Sequence, residues 1–167
     1  DFIIKNFINF TLKNNSNEKL LIVGENQNSV YFNKCIELVK QNEIKNIEFL
    51  GKKSQEEISY LLSSSRLLIM ASNYEGLPRV LIESGLCSTP SLATDIQGIR
   101  EPFGNNGGTL IYELNNSFEF ELQLTKFVND KNLEDELQNK SLALATKLSG
   151  PNNFGNNWNK LIELLYE

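Results

Sequence analysis

Histidine is absent from all 167 residues. That excludes Ser-His-Asp and Cys-His nucleophilic pairs, imidazole general bases and most transition-metal sites. Chemistry falls to carboxylates, lysines, arginines and backbone groups. Cysteine is scarce: Cys35 and Cys87 lie far apart and form no C-x-x-C pair, so two buried free thiols in a reducing compartment are expected. Arginine occurs only as Arg66, Arg79 and Arg100, and the net charge is −5. No basic stripe exists to neutralise a phosphate backbone, which excludes a nucleic-acid partner. No apolar run approaches the ~18 residues of a membrane span, and the N-terminus does not read as a signal peptide. A cytoplasmic protein is expected, with association at the inner membrane face open to the complete protein.

What is present reads as one folded domain over residues 1–167, with 40% hydrophobic and 22% charged residues. Short apolar runs at Leu20–Val23, Ile47–Leu50, Leu67–Met70, Ser91–Ala93 and Leu110–Tyr112 are bounded by Gly, Ser, Asn or Pro. Between them Phe2–Leu12, Val30–Val39, Gln55–Leu62 and Val80–Leu86 carry apolar residues at helical spacing. Strands apolar throughout and separated by helices predict an α/β fold, a Rossmann-like doubly wound parallel sheet. After Tyr112 the pattern is helical only, with faces at Phe120, Leu124, Phe127 and Val128, at Leu137, Ser141, Leu144 and Leu148, and at Trp158, Leu161, Ile162 and Leu165. Gly150 and Pro151 separate the last two.

Ligands of an open parallel sheet bind beyond the carboxyl ends of its strands. Three loops there stand out: Gly24-Glu25-Asn26, Gly51-Lys52-Lys53, and Ala71 to Arg79 with Glu75, Gly76, Leu77 and Pro78. Pro78 suits the first turn of a helix, which places Gly76 and the following N–H groups at an anion-favouring helix start. Glu83, eight residues after Glu75, falls less than two turns inside that helix. A carboxylate there can accept both hydroxyls of a ribose diol; two solvated glutamates would give the same spacing. There is no G-x-G-x-x-G, no P-loop and no D-x-D.

The stretch Glu75-Gly76-Leu77-Pro78-Arg79-Val80-Leu81-Ile82-Glu83 resembles the E-x7-E motif of the retaining nucleotide-sugar glycosyltransferases of family 4. Leu20-Leu21-Ile22-Val23-Gly24 is similar to that family's L-x-I-V-G, and Ile47-Glu48-Phe49-Leu50-Gly51 to its V-x-F-L-G. Pro90 to Glu101 resembles its P-V-V-A-T-D-x-x-G-I-x-E, and Phe154 to Tyr166 its closing helix. The resemblance implies the donor-binding C-terminal domain of a two-domain GT-B enzyme, hexosyltransferase-type, retaining and metal-independent. No cofactor is implied; the donor would be a UDP-, GDP- or other NDP-sugar, and the pathway polysaccharide or glycolipid assembly. By the same resemblance Glu83 binds the ribose, and Glu75, the catalytic candidate, approaches the transferred sugar. Gly76, Leu77, Pro78, Arg79 and Val80 would meet the diphosphate, Leu50 and Gly51 the nucleobase, and Gly24 the diphosphate side. A glycan or lipid acceptor would be held by an N-terminal domain outside this sequence.

Two departures stand out. Gly85 weakens a helix, and Ser88 stands where the family has glycine before its proline, so a different helix end is expected. Asp1 to Lys5 resembles the helix after the family's first strand, so that strand, with its Arg and Lys, is not among these residues, and the fragment alone is expected to be inactive. Either a gap between the Leu20 and Leu67 strands or direct pairing of the two is expected. Tyr74 reads as packing under its loop, the Asp130, Glu134, Asp135 and Glu136 cluster as a wet helix start, and Arg79 and Arg100 as phosphate partners or solvated residues. The alternative is a non-catalytic flavodoxin-like binding or regulatory module.

Overall fold

A computed structural model describes residues 1–26, 28–104 and 107–150; the helix expected at Trp158 to Leu165 lies outside them. The order is α1 (Phe2–Asn14), β1 (Leu20–Val23), α2 (Ser29–Gln41), β2 (Ile47–Gly51), α3 (Gln55–Ser63), β3 (Leu68–Met70) and α4 (Arg79–Leu86). It continues with β4 (Ser91–Thr94), α5 (Gln97–Ile99), a π-helical turn (Arg100–Gly104), β5 (Thr109–Tyr112), α6 (Ser117–Asn129) and α7 (Lys131–Ser149). Start signals are local. Asn28, Asn116 and Asp130 cap α2, α6 and α7 by accepting from backbone N–H groups, and Ser54 with Glu57 forms a reciprocal capping box on α3.

Every strand pairing is parallel. The alternation along β4 shows the double winding. Leu92 packs with Phe7, Tyr112, Phe120 and Leu124 on the α1 and α6 side, whereas Ala93 packs with Leu81, Ile99 and Phe103 on the α4 side. Both faces of β4 are therefore covered, and all four of its residues are buried.

The sheet is divided. β1 pairs with β2, and β3, β4 and β5 form a second sheet, with no hydrogen-bonded pairing between β1 and β3. Of the two outcomes expected there, the gap is the one found. A cavity of about 1450 Å³ separates the facing edges, walled by Ile22 and Ile69, by Phe2 and Phe7 of α1, and by Ile58 and Leu61 of α3. Across its floor Arg66, just before β3, pairs with Glu18, just before β1, and with Glu134 of α7.

Several expectations need correction. Glu134 is buried at 3% exposure, because Arg66 reaches it through Nε (3.2 Å) and Nη2 (2.6 Å); the rest of that acidic cluster sits at the surface. Cys35 is buried but Cys87 is only half-buried. Gly85 serves a helix crossing: a Cβ there would stand 2.7 Å from both the Ser141 carbonyl oxygen and the Ala145 Cβ of α7. Ser88 adopts φ 59° and closes α4 as a glycine would, with Thr89 N–H donating to the Ser84 carbonyl and Ser88 N–H to that of Gly85, both at 2.9 Å. The short α5 and the π-helical turn have no clear periodic signal, since three to five residues are too few to show one.

Candidate functional site

Parallel pairing brings the strand ends to one edge. Gly24 N–H donates to the Gly51 carbonyl at 3.0 Å, tying the two glycine loops together. Gly51 takes φ 68°, a left-handed turn that favours glycine. Gly24, Gly51, Val80, Ser72, Asn73 and Thr94 border the large cavity. A second cavity of about 790 Å³ is bordered by Asn73, Tyr74, Glu75, Gly76, Gln97 and Gly98, so Asn73 stands at both. Leu50 is half-buried behind its loop, Leu77 and Arg79 are exposed, and Glu83 is half-buried on α4; none of these four borders either cavity.

The loop between β3 and α4 is held at defined points. Tyr112 O–H donates to the Met70 carbonyl at 2.9 Å, Thr94 Oγ1 to the Ser72 carbonyl at 2.7 Å, and Ser72 Oγ to Glu75 Oε1 at 2.8 Å. Burial pushes the Tyr112 phenol above its ordinary range, so it remains a neutral donor. Buried Pro78 is the N-cap of α4, one position before the first-turn place expected for it, and no side chain caps the helix. The N–H groups of Arg79 and Val80 thus have no side-chain cap at the positive end of the helix dipole, while Leu81 N–H donates to the Pro78 carbonyl at 3.1 Å. Glu75 precedes that end and Glu83 follows it.

Tyr74 does not pack under the loop; it is 86% exposed. Arg100 is paired with Asp95, whose carboxylate raises the guanidinium further, and Lys52 pairs with Glu25 at 3.5 Å. Sequence reasoning missed the supports Tyr112, Thr94 and Ser72, whose role depends on β4 and β5 lying beside β3. Among the described residues no group of three or more His, Cys, Asp or Glu could hold a metal ion, and no helix is long and apolar enough to cross a membrane.

The sequence profile of the glycosyl transferases group 1 matches residues 1–143. The chain belongs to that family. It is 27% identical over 118 residues to an uncharacterised glycosyltransferase of Methanocaldococcus jannaschii, covering 71% of this chain and 34% of the relative. It thus spans about a third of the length of the curated relatives it matches. Among solved structures, Anabaena HepE in complex with UDP superposes with a TM-score of 0.83 at 16% identity, over 97% of this chain and 44% of that one. TarM of S. aureus, in a structure that also contains UDP, gives 0.82 at 20%, over 96% and 32%. These likenesses establish the fold: an α/β Rossmann-like parallel sheet with C-terminal helices that matches the C-terminal domain of GT-B glycosyltransferases, here with a divided sheet.

Proposed function

We propose that this domain binds the donor of a retaining, metal-independent hexosyl transfer from a nucleoside-diphosphate sugar to a glycan or lipid, in the manner of family 4. The observation that carries the reading is the placement of Glu75 and Glu83 on either side of the uncapped start of α4, at the carboxyl edge of a parallel sheet. In this reading the diphosphate lies against the N–H groups after Gly76, along Leu77, Pro78, Arg79 and Val80. Glu83 accepts the two ribose hydroxyls. Glu75, steadied by Ser72, faces the transferred sugar and stabilises positive charge that grows at its anomeric carbon. The base lies toward Leu50 and Gly51, with Gly24 on the diphosphate side. UDP in the HepE and TarM structures supports a uridine donor.

The acceptor-binding half, a strand between β1 and β3, and further cations for the diphosphate come, in this reading, from outside residues 1–167. The complete enzyme works in the cytoplasm, against the inner membrane face when its acceptor is a lipid. The test is calorimetric titration of the complete protein with UDP, GDP and ADP. Saturable binding of one of them, weakened tenfold or more by Glu83→Gln, is expected from the loss of charge-assisted bonds of ~1.5–3 kcal/mol. Binding of none, or equal binding by Glu83→Gln, overturns the reading.

A further inference from the structure

Gly98 is the middle residue of α5 and lies directly against the backbone of the Glu75 loop. A Cβ on it would stand 2.8 Å from the carbonyl carbon of Glu75, and closer still to the carbonyl oxygens of Glu75 and Gly76. These are backbone atoms, so no rotamer change relieves the contact; one of the two segments has to move. The α5 side is the firmer. Ile99 is fully buried in the core with Leu81, Ala93 and Phe103. The Ile96 carbonyl accepts from both Ile99 and Arg100 N–H groups, at 2.9 and 2.8 Å, and Asp95 N–H donates to the Tyr112 carbonyl at 2.7 Å. The opposing loop is the softer, with Tyr74, Gly76 and Leu77 all exposed. Any side chain at 98 therefore displaces Glu75 rather than Ile99.

We propose that Gly98 is a positioning residue, whose missing side chain lets the Glu75–Gly76 backbone seat on α5 and so fixes where the Glu75 carboxylate stands. Thr94, donating to the Ser72 carbonyl, fixes the other end of the same loop. The proposal rests on the reading of Glu75 given above. A misplacement of about 1 Å at a reacting group can cost ~10²-fold in rate, and that is the expected loss of kcat on Gly98→Ala.

The test compares Gly98→Ala with Gly107→Ala in the complete transferase. Gly107 is an equally crowded glycine, where a Cβ would stand 2.6 Å from Leu144 Cδ2 and 2.8 Å from Phe103 Cα. It lies at the opposite edge of the sheet, next to Gly108, whose carbonyl accepts from Ser91 N–H at the start of β4. Both variants should lower the thermal midpoint. Only Gly98→Ala should lower kcat, with KM for the donor within about threefold, and a crystal structure of it should show Glu75 displaced. If Gly98→Ala yields no folded protein, Thr94→Val should lower kcat and Thr94→Ser restore it. A Glu75 backbone that stays in place, or equal kcat losses in the Gly98 and Gly107 variants, overturns the proposal. A displaced Glu75 with full turnover supports the seating and overturns the role given to Glu75.

Discussion

Arg66→Met should unfold the protein more easily by about 2 kcal/mol. Arg66 binds Glu134 through two nitrogens, touches Glu18 across the floor of the divided sheet, and lies 5.6 Å over the Phe127 ring. Methionine keeps most of the apolar stem, so the change isolates the charge. Breaking a buried pair costs ~3–5 kcal/mol, whereas an exposed pair contributes at most about 1 kcal/mol. Here the Glu134 side chain is 4% exposed and that of Arg66 40%, which places the expected cost between those limits. Chemical denaturation of Arg66→Met, Glu134→Gln and the double variant forms the assay, because the orphaned Glu134 charge should make the double variant less damaged than the sum. The pH dependence has a fixed sign. Hydrogen bonds from Arg66 hold the Glu134 carboxyl below its ordinary range, so its contribution is full above the ordinary glutamate pKa of ~4.3 and disappears as pH falls through the folded value. The gap between wild type and Glu134→Gln should stay constant from about pH 7 to 5 and narrow below about 4. A cost under ~0.5 kcal/mol for Arg66→Met, or strict additivity in the cycle, would refute this account.

Ser88→Gly should raise stability by ~1 kcal/mol, since it relieves a left-handed φ of 59°; calorimetry showing no gain would be inconsistent with that strain. Tyr112→Phe, which leaves the Met70 carbonyl without its donor, should cost ~1–3 kcal/mol by denaturant titration, and the part of wild-type stability that comes from keeping the Tyr112 phenol protonated should fall away only above about pH 10. Glu75→Gln should lower kcat in the complete enzyme more than it raises KM for the donor, and equal effects on both would move Glu75 away from the reacting sugar. Joining a short, continuously apolar strand and a glycine turn ahead of Asp1 should raise the thermal midpoint and slow amide exchange in β1 and β3 alike, whereas the same strand with a central proline should not.

The alternation of apolar runs and helical periods placed all five strands and six of the helices within a few residues, because those elements bury whole faces against a sheet. Gly24 and Gly51 meet because β1 and β2 run parallel, and Asn73, at both cavities, connects their loops to that of Glu75 across the divided sheet. The split between β1 and β3 was legible from the family resemblance, but its form, a cavity rather than a rearranged pairing, was not, because it depends on how α1, α3 and the Arg66–Glu18 pair pack around the gap. Contacts distant in sequence stayed hidden. Glu134 reads as a solvated acid until Arg66, 68 positions earlier, is folded onto it. Gly85 reads as a helix weakness until α7 crosses it, and Tyr74 reads as packed until β4 and β5 take up the supports beneath its loop. Spacing on one segment does not carry which face another segment will cover.

The divided sheet also bears on how the chain acquires its structure. Each portion is contiguous in sequence: residues 2–63 build β1, β2 and their helices, and residues 68–149 build β3, β4, β5 and theirs. No backbone ladder couples the two, so each can assemble from its own nearest neighbours before they meet. Docking then falls to side chains, chiefly the Phe2 ring stacked on Tyr112 and set edge-on to Phe120, with Arg66 beneath. Residues 1–167 by themselves are therefore expected to open in two steps, the amino-terminal portion detaching while the carboxyl-terminal one keeps its hydrogen bonds, and a strand seated between β1 and β3 is expected to merge the two steps into one.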